Sequence, residues 1–257
     1  MDDSELIYFF LKTEMFQEIW DSVLSHEAIL YRSPLFFLLI AQATQFGGCL
    51  IFSFIDLQRH RVPFNLMIGP ACVAVFGFLP FFLMWYTEIL ILEKDLPKKA
   101  PNAIQFTIEF VVCGVVGDFF HYWTHIWLHS NKTLKHHVHR IHHEYKGSLY
   151  SWVGMQVHPL EVVMITIAIY SPFILFAHPM VLWVFAFLAT MNATFAHSGY
   201  NGGFSSMYLP FALTSSDHQL HHELNSTKNY GNILQVWDKL FETYGENKKF
   251  PTQSLWN

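Results

Sequence analysis

A chain of 257 residues is long enough for one domain with a sizeable core and short for two. Apolar residues make up 52% and charged residues only 14%, where a soluble domain carries roughly 25% charge, and mean hydropathy is +0.26, so the composition argues for a membrane and against an ordinary soluble domain. The net charge of −5, with no basic stripe, excludes nucleic acid as a partner.

The N-terminus, MDDSELIYFF, is acidic and lacks the basic start of a signal peptide. Residues 5–24 place Leu6, Phe9, Phe16, Ile19, Trp20 and Val23 at helical spacing, which fits an amphipathic helix lying on the membrane or one packed on the rest of the protein. Residues 34–55 hold no charge in 22 positions, the length of a bilayer span. A polar break at 56–61 precedes a second apolar run, 62–92, whose Gly69-Pro70 and Leu79-Pro80 predict a kink or tilt. Residues 93–101 read as a loop. The third run, 103–129, is apolar in its first half and carries Asp118 and three histidines in its second. Residues 130–158 are polar and histidine-rich. Two apolar stretches across 160–196, broken at Ala177-His178-Pro179, predict a helical hairpin. The three cysteines, Cys49, Cys72 and Cys113, sit in apolar runs, with no disulfide or CxxC pattern.

These elements predict an all-α, integral-membrane helical bundle of about four to five transmembrane or hairpin helices. It forms one domain over 1–257, with an amphipathic segment at 1–32. A third helix ending at 129 and a hairpin that leaves and returns on the same side bring the histidine-rich segments to one face. Arg59, Arg61, Lys132, Lys135, Arg140 and Lys146 stand there against Lys94, Lys98 and Lys99 opposite, so the histidine-rich helical cap is expected to be cytoplasmic.

The chain holds 16 histidines, and 14 fall between 121 and 222. Neutral imidazole is the commonest transition-metal ligand near pH 7. His121, His125 and His129 step by four along one helical stripe, with Asp118 on the same stripe. His139, His142 and His143 form an HxxHH triplet, and His218, His221 and His222 form a second. Thr214 to Asp217 reads as a capping box that starts a helix just before the second triplet. His158 and His197 stand alone at turns. His26, His60 and His178 read as core residues, and His136 and His137 as solvated or supporting ones. Eight or more imidazoles are too many for one ion, and two ions of four or five nitrogens each use them. Without thiolates, cysteine-type zinc is disfavoured; iron, zinc and copper all suit imidazole.

HxxxH at 125–129 and the two HxxHH triplets resemble the histidine boxes of the fatty acid hydroxylase / sterol desaturase superfamily. His158-Pro-Leu-Glu161 resembles its HPxE, His197-Ser-Gly-Tyr200 its HSGY, and Asn229-Tyr-Gly231 with Trp237-Asp-Lys-Leu-Phe241 its closing segment. The resemblance covers about 118–245. Ile126 stands where the first box usually has Arg, and Glu242 where the closing segment usually has Gly.

The resemblance implies a catalytic region over 118–245 that uses O2 and two electrons at a di-iron centre to hydroxylate or desaturate a lipid C–H bond. Zinc would be a substitute in purified protein. Without HPGG or GxGxxG segments, electrons would come from a separate donor, a cytochrome b5-type protein with its reductase. The membrane would be the endoplasmic reticulum in a eukaryote and the inner membrane in a bacterium.

The candidate ligands are His125, His129, His139, His142, His143, His197, His218, His221 and His222, followed by His121 and His158. Asp118, Glu144 and Glu161 are candidates to accept the second ring N–H of a ligand. Tyr122, Trp123, Trp127, Trp152 and Phe195 are candidates to line a tunnel for a sterol or fatty-acyl chain. HPLE and HSGY favour hydroxylation. The closing segment is shared with C5-sterol desaturases, and a non-catalytic metal-binding membrane protein is the alternative of another class.

Overall fold

A computed structural model describes residues 14–25, 36–59, 96–145, 149–201, 211–223, 227–246 and 253–254. The expected apolar run over 62–92, with Cys72, His26 and His60, lies outside the described residues. The chain is mostly helical, as its composition and periodicity predict.

Among the described residues, four helices are long and apolar enough to cross a membrane: α2 (Phe36–Gln58), α3 (Ala103–Ser130), α5 (Pro159–Phe176) and α6 (Pro179–Ser198). The protein is thus a multi-pass membrane protein. At 1.5 Å per residue, α5 and α6 measure about 27 and 30 Å, close to the roughly 30 Å of a bilayer's hydrocarbon. The 28 residues of α3 reach about 42 Å, so this helix projects beyond the hydrocarbon. Its outer face is greasy, with Ile108, Val111, Val112 and Val115 all exposed.

Caps set the ends. Asn102 starts α3 by accepting the Gln105 N–H at 2.8 Å. Asn131 ends it and opens the short α4 (Lys132–His137), accepting from Thr133 and Leu134. The hairpin helices α5 and α6 both begin His-Pro. Proline fits the first turn, where its missing N–H is not needed. The Nδ1 atoms of His158 and His178 accept the N–H groups of Leu160 and Met180, each at 3.1 Å. Gly199 closes α6 in the left-handed conformation at φ 74°.

Inside, α3 packs on α5 and α2 on α6. Lipid offers as good an apolar environment as a leucine does, so close van der Waals fit rather than water exclusion holds such helices together. Phe173 and Phe185 stack with centroids 4.1 Å apart, within a core that includes Val181 and Ala186. Gly48 meets the Thr194 side chain, and a Cβ on Gly117 would overlap the Ile169 carbonyl oxygen.

The amphipathic helix α1 (Glu14–Ser25) packs on the bundle end opposite the histidines. Trp20 is fully buried against His178 and Trp183 and donates its Nε1–H to Pro97 O at 2.6 Å. Beyond α6 lie α7 (Ser215–Glu223) and α8 (Val236–Leu240). A two-residue parallel pairing joins β1 (Tyr200–Asn201) to β2 (Gln253–Ser254).

Gly117→Ala is expected to force α3 off α5 and to destabilise the protein by about 2 kcal/mol or more, as overpacking does. A midpoint of thermal unfolding in detergent equal to that of the parent would overturn this.

Candidate metal centre

The membrane helices and the cap deliver their histidines to one place. Nine rings fall into two groups, each with its ligand atoms within 4.8 Å of one another: His125, His129, His139, His143 and His221, and His142, His197, His218 and His222. They are the nine primary candidates of the sequence. Each HxxHH triplet feeds both groups. The first is a 3-10 helix (His139–Glu144) rather than an α-helix. His139 and His142 therefore eclipse one another about 6 Å apart along the axis and reach different groups. The second triplet lies on α7, whose start is the expected reciprocal cap. Thr214 Oγ1 accepts the Asp217 N–H at 3.1 Å, and Asp217 Oδ2 accepts the Thr214 N–H at 3.1 Å and its hydroxyl at 2.6 Å.

Second-layer contacts fix the ring orientations. The Nδ1–H of His125 donates to Tyr230 O at 2.8 Å, that of His221 to Lys228 O at 2.7 Å and that of His197 to Ala193 O at 2.8 Å. His139 Nδ1 pairs with Glu161 Oε1 at 2.7 Å, both residues 1% exposed. A carbonyl only accepts, so these rings carry their proton on Nδ1 and keep a lone pair on Nε2. The Nε2 atoms then face one another. In the first group, His139 to His129 is 2.7 Å, His143 to His139 3.0 Å, His129 to His221 3.1 Å and His129 to His125 3.3 Å. In the second, His218 to His197 is 2.8 Å, His222 to His218 3.2 Å and His197 to His142 3.4 Å. Metal–nitrogen bonds of about 2.0–2.1 Å imply neighbouring nitrogens about 2.9–3.4 Å apart in octahedral or tetrahedral sites. The spacing of the rings fits a bound cation in each group.

Five of the rings outside the membrane helices are also held neutral. Burial first, and neighbouring imidazoles second, push His142, His143, His218 and His222 well below the ordinary histidine range. Burial takes His221 down to about 3. Neutral rings are the form that binds metal.

Other expected site residues lie elsewhere. His158 is not in either group; it caps α5. His121 is buried on the α3 stripe, its ring 5.4 Å from that of His125, and also stands outside both groups. Asp118 does not touch a ring. Its carboxylate accepts the N–H groups of Ile233 and Leu234 and the Trp237 Nε1–H, at 2.8, 3.2 and 2.9 Å. Glu144 is exposed and accepts from Gln156 Nε2, so of the three carboxylates only Glu161 takes a ring N–H. The aromatic candidates do not form a tunnel either. Tyr122 bonds Thr243, Trp152 bonds Ser53, Phe195 packs on Phe52, and Trp123 and Trp127 are exposed. His136 and His137 are exposed, as expected.

The closing segment does work that its motif did not disclose. Asn229 sits at φ 57°. Its side chain donates to Asp217 O and Gly245 O and accepts the Gly245 N–H. Asp238 accepts the N–H groups of Tyr230 and Gly231 and the Thr243 hydroxyl. This scaffold presents the carbonyls of Lys228 and Tyr230 to the rings. An Asn two residues before a Gly is a turn signal readable in sequence, but the two carbonyls carry no residue-type signal. Gly154, too, was invisible: a Cβ there would lie 2.9 Å from His197 Nδ1. A cavity of about 240 Å³ opens at these rings and runs between α2, α5 and α6.

Buried imidazoles in two groups beside a cavity between membrane helices define a class: an integral-membrane protein whose histidine clusters could hold metal ions. Residues 110–243, just over half of the chain, match the family named fatty acid hydroxylase. Methylsterol monooxygenase 1 of Gallus gallus is 26% identical over 249 residues, 89% of this chain and 82% of the relative. Its Danio rerio counterpart is 30% identical over 142 residues, 53% of this chain and about half (47%) of the relative. Very-long-chain aldehyde decarbonylase GL1-11 of Oryza sativa subsp. indica is 30% identical over 189 residues, 72% and 69%. No solved structure matches. The chain belongs to the fatty acid hydroxylase family, and is an oxidoreductase of that family.

Gly154→Ala is expected to displace the His197 ring and to lower metal content from two ions per chain to about one, read by elemental analysis. Unchanged metal content would overturn that. Glu242 sits at φ 59°, where a side chain costs about 1 kcal/mol or more. Glu242→Gly is expected to raise the unfolding midpoint by about 2–4 °C, and a fall would show that the strain is not relieved.

Proposed function

We propose that the protein is a di-iron oxygenase that hydroxylates an unactivated C–H bond of a lipid, of sterol or fatty-acyl type, using O2 and electrons from a separate donor. The observation that carries this reading is the pair of imidazole groups, with Nε2 lone pairs convergent, at the mouth of an apolar cavity within a membrane bundle. His125, His129, His139, His143 and His221 would hold one iron, and His142, His197, His218 and His222 the other. Together the ions would supply O2 activation.

The rest is the protein's part. Glu161 and the carbonyls of Tyr230, Lys228 and Ala193 hold four rings in register. The apolar wall, with Leu38, Val162, Ile165, Ile169 and Ala189, excludes water and receives the lipid. Exposed Lys132, Lys135 and Arg140 beside the ligand-bearing 3-10 helix support a cytoplasmic face for the centre. An electron donor of cytochrome b5 type, with its reductase, would approach there. The methylsterol monooxygenase relatives support alcohol formation over alkene formation.

The full chain, purified from iron-supplemented cells, is expected to carry two irons. It is expected to consume O2 in the presence of reductant and lipid and to yield an alcohol by mass spectrometry. His142→Ala and His221→Ala should each lose about one ion. Full loading in both variants would sink the ligand assignment, and an iron-loaded protein that consumes no O2 would sink the oxygenase reading.

A further inference from the structure

The cavity does not stay apolar. Its α2 wall is a single stripe, Leu38, Ala41, Gln42 and Gln45, spaced i, i+3, i+4 and i+7. Two of the four are glutamines inside a membrane-crossing helix, where polar side chains are costly and rare. Thr166 and Tyr170 of α5 and Thr190 of α6 line the same cavity. Gln45 Nε2 is buried with no oxygen or nitrogen partner among the described residues, and its side chain meets the Cys49 thiol, a weak acceptor. Such an unmet donor costs about 1–3 kcal/mol, and Gln45 lines a space that a ligand can enter.

Helix rise gives the depth of this polar set. Gly48 abuts Thr194, so Gln45 lies six residues' worth of rise below His197, about 9 Å. Thr190, seven residues before His197, lies about 10 Å below it, and Tyr170, nine residues beyond Glu161, about 13 Å from the carboxylate that holds His139.

The donor determines the ligand chemistry. An amide N–H calls for an oxygen acceptor. Among the described residues no Lys or Arg lines the cavity, and the one carboxylate, Glu161, is engaged with His139, so an ionised carboxylate entering there would meet no cationic side chain among them. A hydroxyl or ketone oxygen meets both conditions.

We propose that Gln45, with Gln42, Thr166, Tyr170 and Thr190 around it, forms a second recognition subsite. It hydrogen-bonds a neutral oxygen of the substrate about 9–13 Å from the carbon that is oxidised. The substrate is then an oxygen-bearing neutral lipid, held by its oxygen in mid-bundle with the reacting carbon at the rings. This rests on the reading that the cavity receives a lipid substrate.

Binding of tritiated probes to the metal-loaded full chain in detergent tests it, with cholesterol paired against 5-cholestene, which lacks the hydroxyl, and 1-hexadecanol against hexadecane. The alcohol of at least one pair is expected to bind about tenfold more tightly than its hydrocarbon, the worth of one hydrogen bond. Gln45→Leu should erase that difference at unchanged metal content. Gln45→Met, close in length and without a donor, replaces it should the Leu variant lose metal.

Equal binding within both pairs, no binding of either alcohol, or a preference that survives loss of the Gln45 amide would each overturn the subsite. A chain that prefers the alcohol but never consumes O2 keeps the subsite and loses the oxygenase. A chain that oxidises 1-hexadecanol and hexadecane equally well, with no difference in binding, keeps the oxygenase and loses the subsite.

Discussion

Lone pairs crowded against lone pairs are the constraint on which the rest of the structure depends. Nine imidazoles bring their Nε2 atoms to about van der Waals contact or closer, and for four rings the Nδ1 proton is already committed to a carbonyl or to Glu161. The first group holds three such rings, His125, His139 and His221, and the second holds His197, so each group contains Nε2 lone pairs that a cation would satisfy. The bundle holds the rings in this convergent arrangement through the α3 stripe, the eclipsed 3-10 turn, the capped start of α7 and the end of α6 at Gly199. Metal binding then becomes part of the folded state's stability.

The closing segment shows how that holding is done. Asp118 and Asp238 each gather N–H groups from residues 230–237, and Asn229 ties the same segment to α7 and to Gly245. None of these side chains meets a ring. They act through the Lys228 and Tyr230 carbonyls, which set the tautomer and aim of His221 and His125. Disturbing Asp118 would thus reach the metal centre only by way of the backbone opposite it.

Why the sequence disclosed some of this and not the rest follows from what kind of signal each part leaves. Histidines are rare side chains, and here they stand at spacings fixed by helix geometry, so HxxxH and the two HxxHH triplets could be picked out and grouped on one face. The long apolar runs and the Thr214–Asp217 cap were legible for the same reason. His158 was not separable from a ligand, because a histidine before Pro-Leu-Glu serves equally well as a helix cap and only three-dimensional placement decides. Asp118 lies on the ligand stripe yet turns to a segment more than a hundred residues away. The aromatic candidates marked the right region but bound the wrong neighbours, since burial of a large ring says nothing of which cavity it faces. The importance of Gly154 arises from a contact with His197, and contacts between distant residues leave no local pattern.

Charge balance ties the outer layer to the inner one. On the proposed ligand set, the charge of two divalent ions, four positive units, would be uncompensated by neutral imidazoles. Four buried carboxylates stand just behind the rings or behind the segment that orients them: Asp118, Glu161, Asp217 and Asp238, none more than 5% exposed. Taken alone, each would be costly in so dry a place, and burial does push the Asp238 carboxyl up. Beside two dications the same acids would become the counter-charge, delivered through hydrogen bonds rather than by direct ligation. That division leaves the inner layer all-nitrogen and explains why so few carboxylates appear among the histidine boxes: they are needed one layer out, where Asp217 and Asp238 also fix α7 and the closing segment.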